Sequence, residues 1–404
     1  MLPLRPEEQI LVCVARRSLD AANADSLREL LAEDLDWKYL LATAHRHCLF
    51  PLLNLHLNSA AQSLVPPEVM GRLERDNHQN TRSNLFLTGE LLKVLALLEE
   101  NGIRAVAFKG PTLALQAYGD VGLRQFGDLD ILVQRKDILK VKELLIGSGY
   151  KPTLTLTSAQ EAALLRFDCA YNFDNERGVM LDVHWNFAER HFSFDLDVGR
   201  LWEHVETLSM HGKELLTLSA EDVLLILCLH GFTHLWERLG WVCDVASLIE
   251  SRKDLDWPLV LKNATTLGAR GILSLGVFLA ADVLGAPIPR EVSESLQADP
   301  KVKRLAEQAR QQLFTERSAP AGVFAEAVTL VNLRERRRDR FRAGLRLATI
   351  PRSYDWMFLS VPDSLSFLYY LVRPLRLAGK YGAGLFKNSD EYNAGTNGNA
   401  QPLP

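Results

Sequence analysis

Between residues 6 and 100 the apolar positions recur three and four apart, as in Leu27, Leu30 and Leu31 and again in Leu40, Leu41 and Ala44. That spacing lines one face of a helix, so the region is predicted to be helical. Pro66-Pro67 breaks the pattern, and a longer amphipathic helix is predicted from about Val69 to Glu100, stopped by Asn101-Gly102. The texture then changes. Arg104–Phe108 (RAVAF) is a short apolar run that suits a buried strand, and Gly110-Pro111-Thr112 opens a helix reaching about Tyr118. Leu129–Val133 is rich in strand formers, Lys136–Ser148 reads as a helix ended by Gly149, and Cys169–Phe173 and Val179–Trp185 read as two strands joined by a turn at Asp174–Gly178. Ser219, with Asp222 three residues on, caps a further helix that is predicted to run through HGFTHLWERLGWVCDVASLIES, and helical patterns continue to about residue 316.

The predicted fold class is therefore α+β: an N-terminal helical region over 1–101, a small α/β core with a mixed sheet over 102–210, and a C-terminal helical region over 211–387. Residues 388–404 are polar with Gly, Asn and Pro, and are expected to be a disordered tail. The 404 residues are 47% hydrophobic and 24% charged, enough to bury a sizeable core. A net charge of -4 provides no global basic field, so a polyanionic partner would need a local patch. The five cysteines are scattered and unpaired in spacing, which suits reduced thiols in a cytoplasmic protein. The N-terminal segment carries acids early and does not read as a signal peptide. The two most apolar stretches, Gly271–Pro289 and Phe358–Val372, are interrupted by acidic residues and prolines, so no membrane span is expected.

Candidate chemistry centres on Asp128-Leu129-Asp130. Residues i and i+2 of a strand face the same way, so the two carboxylates lie side by side at the start of the predicted strand. Like charges that close are costly unless a cation neutralises them. Mg²⁺ takes hard oxygen ligands, commonly one or two carboxylates plus substrate phosphates, and is the cation phosphoryl chemistry uses. Asp182, on the predicted strand Val179–Trp185, completes a three-carboxylate cluster if the two strands are neighbours. Upstream, the strand–turn–helix of Lys109, Gly110, Pro111 and Thr112 places backbone N–H groups at a helix start, a site for phosphates to which Lys109 adds charge. A proline at the first helical position is favoured in any helix, so the same turn also fits a purely structural start.

The run FKGPTLALQAYGDVGLRQFGDLDILV, followed later by LDVHW, resembles the signature of the polymerase β nucleotidyltransferase superfamily. It is most similar to an uncharacterised bacterial nucleotidyltransferase family, through Lys109-Gly110, Tyr118, Gly122-Leu123-Arg124, Asp128-Leu129-Asp130 and Leu181–Trp185. The spacing of Lys109, Gly110 and Thr112 is also similar to that of abortive-infection toxin nucleotidyltransferases. Asp36-Trp37, His230, His234 to Trp236, Asp244 and Arg373–Leu377 extend the likeness over most of the chain. The resemblance implies a nucleotidyltransferase core that moves a nucleoside monophosphate from an NTP to an acceptor hydroxyl, with two Mg²⁺ ions on Asp128, Asp130 and Asp182. It implies phosphate contacts from Lys109, Gly110, Pro111, Thr112 and Arg124, although Gly110-Pro111 replaces the family's usual Gly-Gly or Gly-Ser. The acceptor class (small molecule, saccharide, protein or RNA) is left open. Two alternatives stand beside this reading: a nucleotide-binding regulatory module without turnover, and a tRNA-modifying toxin-like transferase.

Further residues keep two readings each. Arg124 suits a bidentate phosphate contact or a salt bridge to one of the carboxylates. His230 and His234 have a zinc-compatible spacing, but Gly231 stands where a metalloprotease carries its glutamate, and two ligands alone do not make a site. Asp244 is a candidate to orient a histidine or act as a base, and His184 to support the metal site from beside Asp182. The basic run 334–342 suits a phosphodiester backbone or a solvated helix face.

Overall fold

The computed structural model describes residues 4–187, 198–296, 299–315, 337–351, 355, 361–377 and 379. These fall into two compact units, one holding residues up to 154, 170–187 and the described residues of 194–335, the other holding 155–169 and the described residues from 337 onward. The expected tail 388–404, and residues 334–336 of the basic run, lie outside the described residues.

The first unit opens with helices α1 (Pro6–Val14), α2 (Ala21–Leu31), α3 (Trp37–Arg46), α4 (Phe50–Ala60) and α5 (Pro67–Glu100). Pro66 and Pro67 start α5 where their missing N–H groups cost nothing, and Gly102, at φ 71°, turns the chain out of it. Its buried side includes Leu73 and, from Asn80 on, a stripe of three- and four-residue steps through Asn84, Leu87, Leu91, Val94 and Leu98 that begins with two amides.

The sheet follows. Its strands are β1 (Ala105–Ala107), β2 (Asp128–Val133), β3 (Tyr150–Pro152), β4 (Ala170–Asn175), β5 (Met180–His184), β6 (Val205–Met210) and β7 (Lys213–Leu218), in the spatial order β3-β4-β5-β2-β1-β7-β6. β2 runs parallel to β5 and antiparallel to β1, and β1 runs parallel to β7, so the sheet is mixed as predicted. Between the strands lie α6 (Pro111–Leu113), which passes into a π turn over Ala114–Tyr118, and α7 (Ile138–Gly147). α8 (Ser158–Phe167) belongs to the second unit and α9 (Val198–Leu201) to the first. After β7 come α10 (Ala220–Thr233), α11 (Leu239–Ser251), α12 (Trp257–Thr266), α13 (Arg270–Leu284), α14 (Arg290–Leu296) and α15 (Pro300–Leu313); α16 (Arg337–Thr349) lies in the second unit. No helix among the described residues is long and apolar enough to cross a membrane.

Two expectations change, and one strand is added. The β6–β7 hairpin carries the sheet past the expected boundary at 210, and pairs with β1 at Ala107 and Thr217. Its two-residue turn is His211-Gly212, both at positive φ, the geometry that tight hairpins demand. β3 is a short third strand on the far edge that lacks a sequence pattern long enough to read. The predicted continuous helix from Ser219 breaks at 234–238 into α10 and α11. Leu235 and Trp236 both take left-handed backbone, near φ 53°, and fold the indole of Trp236 back onto α10. A Cβ at Gly231 would lie 2.4 Å from that ring, so glycine is required there for packing. α10 itself is buried on nearly every side, which explains its continuous apolar run.

Candidate active site

The parallel pairing of β2 with β5 sets Asp130 directly beside Asp182, Asp128 beside Met180, and Leu132 beside His184. Alternation along each strand then gives Asp128, Asp130, Asp182 and His184 one common face. Asp130 is the buried member, 3% exposed, while Asp128 is exposed at the strand's start. Asp130 Oδ1 accepts from Lys109 Nζ at 3.3 Å and from His184 Nε2 at 3.0 Å. A carboxylate is an acceptor only, so the His184 proton in that contact sits on Nε2. Asp130 Oδ2 is also buried, and has no partner. Burial alone would raise this carboxyl; the Lys109 charge and the His184 hydrogen bond outweigh it and hold Asp130 well below the usual carboxylate range. The carboxyls of Asp128 and Asp182 are pushed up, first by the protein atoms of the cleft that displace part of their water and then by the Asp130 charge. Asp182 Oδ1 accepts from Asn172 Nδ2 at 2.6 Å. One ligand atom from each of Asp130, Asp182 and His184 lies within 4.8 Å of the other two, and among the described residues this is the group with metal-ligand spacing. Phe108 and Phe187 pack on the His184 ring, edge-on and stacked respectively.

The turn after β1 places Lys109. Gly110 has φ 53° and ψ -124°, and a Cβ there would lie 3.2 Å from the carbonyl oxygen of Asp128. Glycine is therefore what lets the turn rest against the start of β2. Pro111 has no N–H, and the N–H and Oγ1 of the fully buried Thr112 both donate to Lys109 O, at 3.2 and 2.8 Å. Of the four residues expected to meet phosphate in this turn, Lys109 and Gly110 line the open cleft; Pro111 and Thr112 lie buried beneath it, with Thr112's donors already used.

The cleft has a volume of about 430 Å³. Its near wall is Lys109, Gly110, Asp128 and Asp130; its far wall comes from the α10–α11 break, with His230, His234, Arg238, Trp241 and Asp244. His230, His234 and Trp241 form one ring cluster with centroids 4.7 to 5.3 Å apart. Burial first, then the Lys109 charge, pushes both histidines below their ordinary pKa, so they face the cleft as neutral rings at neutral pH. The two histidines pack on each other and on Trp241, and neither belongs to a three-ligand group among the described residues.

Arg124 pairs with Asp244 through two bonds, Nε to Oδ1 at 2.9 Å and Nη2 to Oδ2 at 3.0 Å, and not with Asp128 or Asp130. The Tyr118 hydroxyl donates to the same Asp244 Oδ1 at 2.8 Å. Asp244 is thus the partner of Arg124, ties the segment before β2 to α11, and does not contact a histidine through a hydrogen bond. The segment is held from below as well. Asn84 Nδ2 donates to Val121 O at 2.6 Å and Arg124 O at 2.7 Å, and Asn80 Nδ2 to Gly122 O at 3.1 Å.

Sequence reasoning singled out Asp128, Asp130, Asp182, Lys109, Gly110 and Arg124, all of which lie in or beside one cleft. It gave His184 a supporting place and passed over Asn80, Asn84 and Arg238. The i, i+4 pair of buried amides on an otherwise apolar helix face was the available signal for Asn80 and Asn84.

A family model described as uncharacterised nucleotidyltransferase matches residues 33–285 of the 404. The match ends before Arg373–Leu377, to which the resemblance had been extended. Among solved structures, the chain is similar to an antigenic nucleotidyltransferase-like protein from Paracoccidioides brasiliensis, at 16% identity over 55% of this chain and 92% of that one, with a TM-score of 0.32. No curated protein matches the sequence.

Proposed function

We propose, since the chain belongs to the family of uncharacterised nucleotidyltransferases, that its cleft moves a nucleoside monophosphate from a cation-bound NTP to an acceptor hydroxyl. The observation that carries this reading is Asp130, a buried carboxylate whose Oδ2 lacks a partner and which lies beside Asp182. A buried, unpartnered carboxylate oxygen is costly, and a hard divalent cation is the partner that fits such a donor. Asp128, Asp130 and Asp182 would hold it. When bound, the cation neutralises phosphate charge and eases ionisation of the acceptor.

The remaining chemistry falls to the chain's own groups. Lys109, on the cleft wall, supplies positive charge to the β- and γ-phosphates, and the Gly110 turn lets their oxygens approach the backbone. Arg124, with two nitrogens held by Asp244, presents the rest of its guanidinium to the same cleft. The acceptor oxygen attacks the α-phosphorus, the bond to the bridging oxygen breaks, and pyrophosphate leaves. The hydroxyl proton passes to Asp182, which lies beside Asp130 in the strand register.

Isothermal titration of wild type and of the Asp128→Ala, Asp130→Ala double variant with each common NTP, in the presence of Mg²⁺ or Mn²⁺, tests this reading. Cation-dependent NTP binding that the double variant loses is expected. Equal binding by both proteins would rule it out.

A further inference from the structure

We infer that the ring cluster on the far wall of the cleft, Trp241 with His234 and His230, is a stacking platform for the base of the NTP, and that it favours a purine over a pyrimidine. The inference deepens the proposed function and rests on it for the presence of an NTP. The chemistry described so far, at the phosphates and the cation, makes no use of these rings.

Three observations carry it. The first is place. Among the described residues Trp241 is the tryptophan that lines the cleft, half-buried beside the exposed His234, and both stand across from Lys109, Gly110 and Asp130. Trp185, Trp236 and Trp257, by contrast, are core residues, 9% exposed or less. With the triphosphate at the Lys109–Gly110 turn, the flat end of the same molecule falls on the far wall. The second is chemistry. The Trp241 and His234 centroids are 5.0 Å apart with planes inclined by 37°, and His230 meets Trp241 edge-on at 5.3 Å. Burial and the Lys109 charge keep both histidines neutral, so the wall offers π surface and not a pair of cations. Every base has a π face that aromatic side chains bind by stacking, and a two-ring purine covers more of an indole than a pyrimidine does. Arg238, its guanidinium carbon 5.3 Å from the Trp241 ring centre, and Glu237 line the same cleft, a donor and an acceptor for the polar edge of the base.

The third is that the wall is fixed before any ligand arrives. Leu235 and Trp236 hold left-handed backbone, which non-glycine residues keep only where their surroundings impose it. The Trp236 indole is 1% exposed and packs on Gly231 and Gly276, where a Cβ would lie 2.4 and 3.1 Å from its ring. Beyond it, the N–H groups of Leu239 and Gly240 donate to Nδ1 and O of His47, both at 3.0 Å. A Cβ at Gly240 would lie 2.5 Å from that His47 oxygen, so the start of α11 rests directly on the end of α3. Asp244, one turn after Trp241, is bound by Arg124 and Tyr118. A segment anchored on both sides in this way presents Trp241 and the histidines in one arrangement, which lowers the entropy lost when a flat ligand lies on them.

The test separates the base from the phosphates. The full chain is titrated calorimetrically, in Mg²⁺, with the α,β-methylene analogues of ATP, GTP, CTP and UTP, which cannot transfer, and with inorganic tripolyphosphate, which has no base. Wild type should bind the two purine analogues more tightly than the two pyrimidine ones. Trp241→Ala should lose about tenfold or more in affinity for the purine analogues and most of the discrimination, with tripolyphosphate affinity changed less than about twofold. Trp241→Phe should recover much of the loss, and His234→Ala, at an exposed ring, should show a smaller loss of the same kind. The inference is overturned if Trp241→Ala binds the four analogues as wild type does, which would leave the rings to the acceptor. It is overturned equally if that variant loses tripolyphosphate affinity in the same proportion, which would make Trp241 a structural residue, or if wild type binds purine and pyrimidine analogues alike. Absence of cation-dependent binding of every analogue and of tripolyphosphate to wild type would instead be the failure of the proposed function.

Discussion

Replacing Asp244 with alanine strips two bonds from Arg124 and one from the Tyr118 hydroxyl in a single step. The Arg124 and Asp244 side chains are 14% and 5% exposed, so water replaces little of what is lost. Removing one partner of a buried ion pair costs about 3–5 kcal/mol, because the other charge is left without compensation. The residual exposure of Arg124 places Asp244→Ala near the lower end, about 3 kcal/mol. Arg124→Met leaves Asp244 with the Tyr118 hydroxyl and should cost slightly less. Once either partner is gone, the second change removes a liability, so the double variant should be more stable than the sum of the singles predicts. A coupling of about 2 kcal/mol follows. Urea unfolding of wild type, both single variants and the double variant, compared through midpoints at a common slope, measures it. A coupling below about 0.5 kcal/mol is what independent sites give. That result would refute the pairing and make Arg124 a free cation in the cleft.

Other consequences can be checked in the same way. Asn84→Ala removes bonds to two carbonyls and should cost about 2–3 kcal/mol; amide hydrogen exchange over residues 121–126 should quicken, and unchanged protection there would contradict the clamp. Burial first, then Arg46 and Arg238, lowers the His47 pKa to about 3, and its Nδ1 accepts from the N–H of Leu239. Between that value and the unfolded value near 6.5 only the unfolded chain takes the proton, so stability falls as pH drops through this window, by up to about 1.4 kcal/mol per unit. His47→Asn keeps an acceptor and should flatten the slope of urea midpoint against pH; an unchanged slope would count against it. Gly231→Ala drives a methyl group into the Trp236 ring and should destabilise by about 1–3 kcal/mol, with Trp fluorescence reporting the displaced indole, whereas an unaltered melt would show that the ring has room to move.

Much of the site was legible because strand alternation is a local rule. The two-residue spacing of Asp128 and Asp130 is enough to put them on one face, and the same rule places His184 with Asp182. The pairing of β2 with β5 was only a conditional expectation, since no local pattern says which strands are neighbours; the register Asp130 to Asp182 supplies it. Arg124 and Asp244 lie 120 residues apart, and long-range pairs of this kind leave no periodic trace. The helix break at 234–238 was hidden for another reason. His, Leu, Trp, Glu and Arg all tolerate helix, and the break is imposed by tertiary packing of Trp236 on Gly231. The β6–β7 hairpin was within reach, since Val205–Met210 and Lys213–Leu218 flank a His-Gly turn, but alternation is lost on β7, where Lys213 and Glu214 are both exposed and Thr217 is buried.

The central claim, that Asp130 and its neighbours serve transfer of a nucleoside monophosphate, is tested most directly by following an NTP labelled at the α-phosphate. The protein, Mn²⁺ or Mg²⁺, and fractionated small-molecule, saccharide, protein and RNA acceptors are incubated with it. Label should move to one acceptor class in step with pyrophosphate release, and Asp130→Asn should abolish both. Release of orthophosphate in place of pyrophosphate, or equal labelling by wild type and Asp130→Asn, would contradict it.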